Sequence, residues 1–168
     1  MKLRPERPAD YEAIARVVEA AFGRPNEARL VELIRASEQY VPELALVAEE
    51  EGEIVGHVMF SYVTLAGDEE RQVLELAPVA VAPERQGDGI GAALIRAGLE
   101  RAEARGEPLV AVLGHTGYYP RFGFELASRY GIEPPSPELA PAFFVARLSR
   151  YDAGYRGRVV YPPAFDVT

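Results

Sequence analysis

"RQGDGIGAALI", Arg85–Ile95, sets glycines at 87, 89 and 91 directly ahead of a run of small and aliphatic residues. Glycine enters backbone conformations closed to other residues and lets a ligand come close to the main chain. A helix starting behind such a loop turns its first N–H groups outward without carbonyl partners, and the positive end of its dipole with them. That combination suits a phosphate. A bland turn would need no more than one glycine. Gly87, Gly89 and Ala92 formally satisfy the dinucleotide fingerprint, but "APERQ" separates Val81 from Gly87, and too few βα units follow for a doubly wound sheet. A P-loop is excluded because no Gly-Lys-Ser/Thr follows.

Working outward, Asp10 reads as the N-cap of a helix with Ile14, Val17, Val18, Ala21 and Phe22 at helical spacing, ending near Gly23. A second helix is predicted over Glu27–Ala36. The period then changes: "ELALVAEEEGEIVGHVMFSYVTL" reads as two strands around an acidic turn at Glu50–Glu53. A turn at "AGDEER" leads to the strand "QVLELAPVAV", in which Pro78 cannot donate to a ladder and marks a bulge or an edge. After the glycine loop come a helix from about Gly89 to Arg105, the strand "PLVAVL", a helical turn at "YYPRFGF", a proline-rich loop and the strand "AFFVARL". The tail, about 149–168, is aromatic enough to pack back on the rest. The fold class is α/β, an α+β mixed sheet, mostly antiparallel with one central βαβ crossover from Val73 to Leu113, in a single domain over 1–168.

Composition narrows the function classes. The 168 residues carry a net charge of −8 and no cysteine, which disfavours nucleic acid as a partner and leaves only His57 and His115 as nitrogen ligands, so no metal site is expected. No apolar run approaches a membrane span and the N-terminus lacks an export signal, so no membrane partner is expected and the cytoplasm is the expected compartment.

"LAPVAVAPERQGDGIGAALI", Leu76–Ile95, resembles the central motif of the GNAT (Gcn5-related) N-acetyltransferases: a strand, a Q/R-x-x-G-x-G/A loop, matched by Gln86, Gly89 and Gly91, and a helix. "YYPRFGF", Tyr118–Phe124, resembles the family's later aromatic-x-x-x-Gly-Phe motif. The ordered pair, about 30 residues apart, is far more specific than the loop alone, and with the closing "GRVVYPPAF" the whole chain is similar to a YhbS-type branch of the family. The resemblance implies an acyl-CoA N-acyltransferase fold with a six- to seven-stranded sheet and splayed central strands. It implies an acetyl-CoA-dependent N-acetyltransferase that moves an acyl group from the CoA thioester to a primary amine by direct attack in a ternary complex. The alternative is an acyl-CoA-binding sensor without turnover.

In that family the CoA diphosphate rests on the loop amides, which assigns Arg85, Gln86, Gly87, Asp88, Gly89, Ile90 and Gly91 to CoA binding. Arg85 adds a cation. The Asp88 carboxylate would repel a diphosphate and is expected to point into solvent. The pantetheine arm fills the splay, which makes Val79 and Val81 its backbone partners. Tyr119, four residues before Gly123, aligns with the tyrosine that commonly serves as general acid; a core tyrosine packed on Phe122 and Phe124 is the competing reading. Tyr118 reads as a packing residue and is carried with the CoA-binding set. Arg121 contacts a CoA phosphate or closes a salt bridge.

Glu75, between Leu74 and Leu76, is the candidate base: partial burial would raise its pKa, whereas an exposed strand face is the bland alternative. His57 and His115 are secondary candidates. The acceptor, a small-molecule or peptide amine, is expected to meet the first two helices and the region of Arg129 and Tyr130, and a homodimer is left open.

Overall fold

A computed structural model describes all 168 residues. The change of apolar period after Ala36 gives the longest strands. β1 (Lys2–Pro5) lies antiparallel on β2 (Tyr40–Glu50), and β2 turns into β3 (Glu53–Ala66). The β2–β3 turn holds Glu51 and Gly52 at positive φ, 51° and 79°, as a two-residue hairpin requires. Leu44–Ala48 are wholly buried, a run covered on both faces.

The chain parts into two compact units. The first comprises residues 1–61, 77–101 and 164–168. It contains α1 (Tyr11–Phe22), which buries Ile14 and Val18, and α2 (Asn26–Arg35), which buries Leu30, Val31 and Ile34. Asp10 stands at the N-cap position of α1, as expected, but its side chain makes no capping hydrogen bond. Its carboxylate faces backwards, accepting the Arg7 N–H at 2.8 Å and both Arg4 amino groups at 2.8 and 3.0 Å, because a 3-10 turn over Pro8–Asp10 precedes the helix.

A polar hub ties this unit together. Glu6 accepts from Arg35 at 2.9 and 3.0 Å and from the Tyr40 hydroxyl at 2.7 Å, and lies 2.9 Å from His57 Nε2. Burial pushes the Glu6 carboxyl up, but the bonds to His57, Arg35 and Tyr40 outweigh it and hold it at about 2. His57, considered above as a secondary catalyst, is wholly buried in this hub. Residues 164–168 close the unit with Phe165 buried and Asn26 Nδ2 donating to the Val167 carbonyl at 2.8 Å.

The second unit comprises residues 62–76 and 102–163. Here β4 (Glu70–Val81) pairs in parallel with β5 (Leu109–Leu113), the two ends of the crossover, while α3 (Ile90–Arg105) supplies the helix between them in sequence. Only two register pairs form, Leu74↔Val110 and Glu75↔Ala111. The ladder stops at Glu75, ahead of Pro78, which follows a cis peptide bond. β6 (Glu125–Leu126) and β8 (Phe143–Arg147) continue the order β4-β5-β8-β6 with antiparallel pairings. β9 (Gly157–Val160) pairs antiparallel with the end of β3 and parallel with β7 (Ile132–Glu133).

The fold is mixed α/β with a mainly antiparallel sheet. Its nine strands exceed the six to seven expected, because β6 and β7 have two residues each, too few for a period of two to register. No helix is long and apolar enough to cross a membrane.

Candidate active site

The glycine loop belongs to the first unit. After β4, a 3-10 turn over Pro83–Arg85 delivers the chain to Gln86. Gly87 and Gly89 then take φ of +89° and +83°, a region that side chains rarely enter, and α3 starts at Ile90. A Cβ built on either glycine would meet no atom within 4 Å, so open space lies over both. The first helical bond of α3 runs from Ala93 N–H to the Gly89 carbonyl at 3.0 Å. The amides ahead of it have no carbonyl four residues back to use, and those of Gly87, Asp88 and Gly89 have no partner in the protein. Unpaired amides facing open space at a helix start form an anion cradle.

Three side chains frame the loop. Arg85 does not stand as a free cation: its Nε donates to Asp88 and its Nη2 to Glu50, both at 3.0 Å. These two carboxylates push the guanidinium pKa upward. Asp88 is half exposed but fastened to Arg85 rather than free in solvent, so its charge is locally compensated. Gln86 Nε2 donates to the carbonyl of Val81, one of the two expected backbone partners of a ligand, at 3.1 Å, so that carbonyl already has a partner. Val79 is exposed to an intermediate degree on the same strand.

The second unit brings together Glu75, Tyr119 and Tyr161. Glu75 is 2% exposed, not on an exposed face. The Tyr161 hydroxyl donates to its Oε2 at 2.7 Å, and Oε1 is buried with no partner at all. Burial pushes the Glu75 carboxyl up to about 8, against the smaller downward pull of the Tyr161 bond. A group with this midpoint exchanges its proton near neutral pH.

Tyr119 sits on a 3-10 turn over Tyr119–Phe122 that ends at Gly123. Its ring makes edge contacts with Tyr118 at 5.2 Å and Phe124 at 5.6 Å, and a Cβ on Gly114 would collide with it. The packing reading therefore holds for the ring. Its hydroxyl, however, has no hydrogen-bond partner in the protein and is not sealed among the buried orphan atoms. Burial first, then the neighbouring Tyr118 and Glu75, push this phenol up to about 12, so it is a hydrogen-bond donor throughout the working range.

Tyr118 packs between Tyr119 and Phe122 with the Arg121 guanidinium 4.7 Å from its ring centre. Arg121 is exposed and donates to the Tyr118 and Gly117 carbonyls at 3.0 and 3.3 Å, forming no salt bridge. His115 is exposed beyond β5. Arg129 lies 3.7 Å from Glu125, and Tyr130 lies under Arg147 at 4.1 Å. The first two helices border a partly open pocket of about 200 Å³ lined in part by Tyr11, Ile14, Val31 and Arg35.

Sequence reasoning missed Tyr161, Gly114 and Glu50. Tyr161 stands in the quoted "GRVVYPPAF", but nothing in its spacing ties it to Glu75, 86 residues earlier.

The sequence profile described as "Acetyltransferase (GNAT) domain" matches residues 2–127. The uncharacterized N-acetyltransferase YhbS of Escherichia coli K12 is 36% identical over 99% of both chains. YjhQ of the same organism, also an uncharacterized N-acetyltransferase, is 43% identical over 77% of this chain and 72% of its own. The crystal structure of the E. coli YhbS protein in complex with CoA superposes with a TM-score of 0.89 at 34% identity, covering 98% of this chain and 91% of that one. A GNAT acetyltransferase from Brucella melitensis in complex with acetyl-CoA gives 0.81 at 36% identity, covering 98% and 97%. Two thirds or more of the chain thus match by profile, by sequence and by fold, and the chain belongs to the GNAT family of acetyltransferases.

Proposed function

We propose that the protein transfers an acetyl group from acetyl-CoA to a primary amine, on a small molecule or a peptide, by direct attack in a ternary complex. The observation that carries this reading is the loop: three successive amides without partners, under open space, at the start of a helix. A diphosphate needs such donors, and the amides of Gly87–Gly91 meet that need while the Asp88 charge is held by Arg85. Gln86 braces the loop through the Val81 carbonyl, which leaves Val79 as the main-chain candidate for the pantetheine arm. Arg121 and Tyr118 are assigned to the outer part of the CoA contact.

Acetyl-CoA supplies the activated carbonyl. Glu75 takes a proton from the acceptor ammonium, leaving a neutral amine and a protonated carboxyl. The C–N bond forms, the C–S bond breaks, and the proton displaced from nitrogen ends on the thiolate sulfur. With a pKa pushed up to about 12, Tyr119 does not give its proton away to a thiolate, whose conjugate acid has a pKa of about 8.5. It serves by donating a hydrogen bond to developing charge.

The whole of 1–168 is proposed to work as one catalytic domain in the cytoplasm. The test is CoA release from acetyl-CoA mixed with a panel of amines, peptides and aminoglycosides, against a Tyr119→Phe variant. Release with at least one amine, strongly reduced in the variant, is expected. Thermal stabilisation by CoA without turnover of any amine would make the protein an acyl-CoA sensor, and no stabilisation would remove the CoA reading altogether.

A further inference from the structure

Glu75 has one carboxylate oxygen provided for and one buried without a partner. Buried polar atoms in folded proteins nearly always have partners, so an orphaned carboxylate oxygen at 2% residue exposure calls for an explanation. No arginine, lysine or histidine pairs with this carboxylate. The ionisable groups acting on it are Tyr161, by hydrogen bond, and Tyr119, whose phenol feels its charge.

Tyr161 reaches Glu75 through a strand whose register is fixed by close backbone contact. β9 pairs with β3 at Ala66↔Arg158, Leu65↔Val159 and Thr64↔Val160, and Tyr161 follows directly. At the start of that ladder a Cβ on Gly157 would strike the Ala66 carbonyl, and one on Gly67 would strike the Arg156 carbonyl. Gly157 also holds φ at +131°, where other residues are strained. The two backbones can meet only because both positions are glycine. A slip by one residue would turn Tyr161 to the opposite face.

We infer that Tyr161 is a positioning residue for acyl transfer, its hydroxyl clamping Oε2 of Glu75 so that Oε1 is the oxygen that receives the acceptor's proton. The inference rests on the transferase reading above. The hydrogen bond also sets the working range, since a donor to the carboxylate favours its ionised form and opposes the effect of burial. Without the donor, the carboxyl stays protonated to higher pH and is a base over a narrower range.

The test is a titration of the full chain carrying carboxyl-¹³C glutamate, with the Glu75 resonance identified by its loss in Glu75→Gln. The wild-type midpoint is expected near 8. Tyr161→Phe is expected to raise it by about one unit, and to raise the acidic limb of the kcat/KM profile for acetyl transfer by the same amount while KM for acetyl-CoA stays unchanged. A wild-type midpoint in the ordinary range of about 4.3 overturns the inference without recourse to any variant. So does a working transferase whose acidic limb ignores Tyr161→Phe. The expected titration shift without transfer to any amine would instead overturn the transferase reading, and with it the role of the clamp.

Discussion

The loop from Gly87 to Gly89 offers its amides in the open, whereas Glu75, Tyr119 and Tyr161 gather mostly buried side chains from positions scattered along the chain. The first depends on backbone conformation and is indifferent to most side-chain identities. The second depends on desolvation, and the raised pKa of Glu75 exists only because residues distant in sequence shut water out. Binding and chemistry therefore make different demands on the chain, and substitutions should separate them.

The largest separation is expected at Glu75. Glu75→Gln removes the proposed proton acceptor, and kcat for the best amine should fall by about 10²–10⁴. The Kd for acetyl-CoA, measured by calorimetry, should stay within about twofold. Loss of CoA affinity in that variant would dissolve the distinction. Tyr119→Phe should lower kcat by about 10², again with Kd preserved, as expected for loss of a single donor to developing charge.

Gly89→Val should do the converse. A β-branched residue at φ of +83° is strained by about 1–2 kcal/mol, so acetyl-CoA should bind roughly tenfold more weakly or worse. The smallest effect is expected at Arg85. Its charge is divided between Glu50 and Asp88, so Arg85→Ala should change Kd by less than about threefold. A tenfold loss there would mean that the arginine leaves its carboxylates for the ligand.

Acidity offers a further way to sharpen the contrast. The Glu75 pKa rises from an ordinary 4.5 to about 8 on folding, so the folded chain holds a proton that the unfolded chain has lost between those values. Stability contributed by this group is full below about 4.5 and declines as pH rises to about 8. Thermal melts should therefore show Glu75→Gln gaining on the wild type across that window. Glu6 behaves in the opposite sense: held at about 2, its contribution is full above 4.5 and lost as pH falls through about 2.

The contrast also explains what could be read from the residues alone. The loop was legible because positive φ demands glycine and a helix start has a compositional signature at fixed offsets, so Gly87, Gly89 and the start of α3 emerge from a dozen consecutive letters. The β2–β3 hairpin was legible for the same local reason. Glu75 could be picked out from its apolar neighbours, but its burial could not, since Leu74 and Leu76 flank an inward and an outward residue equally well. Tyr161 was beyond reach because its partner is set by the β3–β9 register, and that register is set by a close approach of two glycines that no periodicity announces. Asp10 was legible as the N-cap position, but not its partner, because a residue type that caps helices also serves as a bidentate arginine partner.

The strand pinned by Gly67 and Gly157 also bears on how such a protein can be pared down. The family profile matches only as far as residue 127, and a chain trimmed there would keep the glycine loop, Glu75 and Tyr119 while discarding Tyr161. Such a fragment would look complete by its motifs yet lack the hydroxyl that holds Glu75, so minimal versions designed by pattern alone would inherit the proposed address of the reaction without its timing.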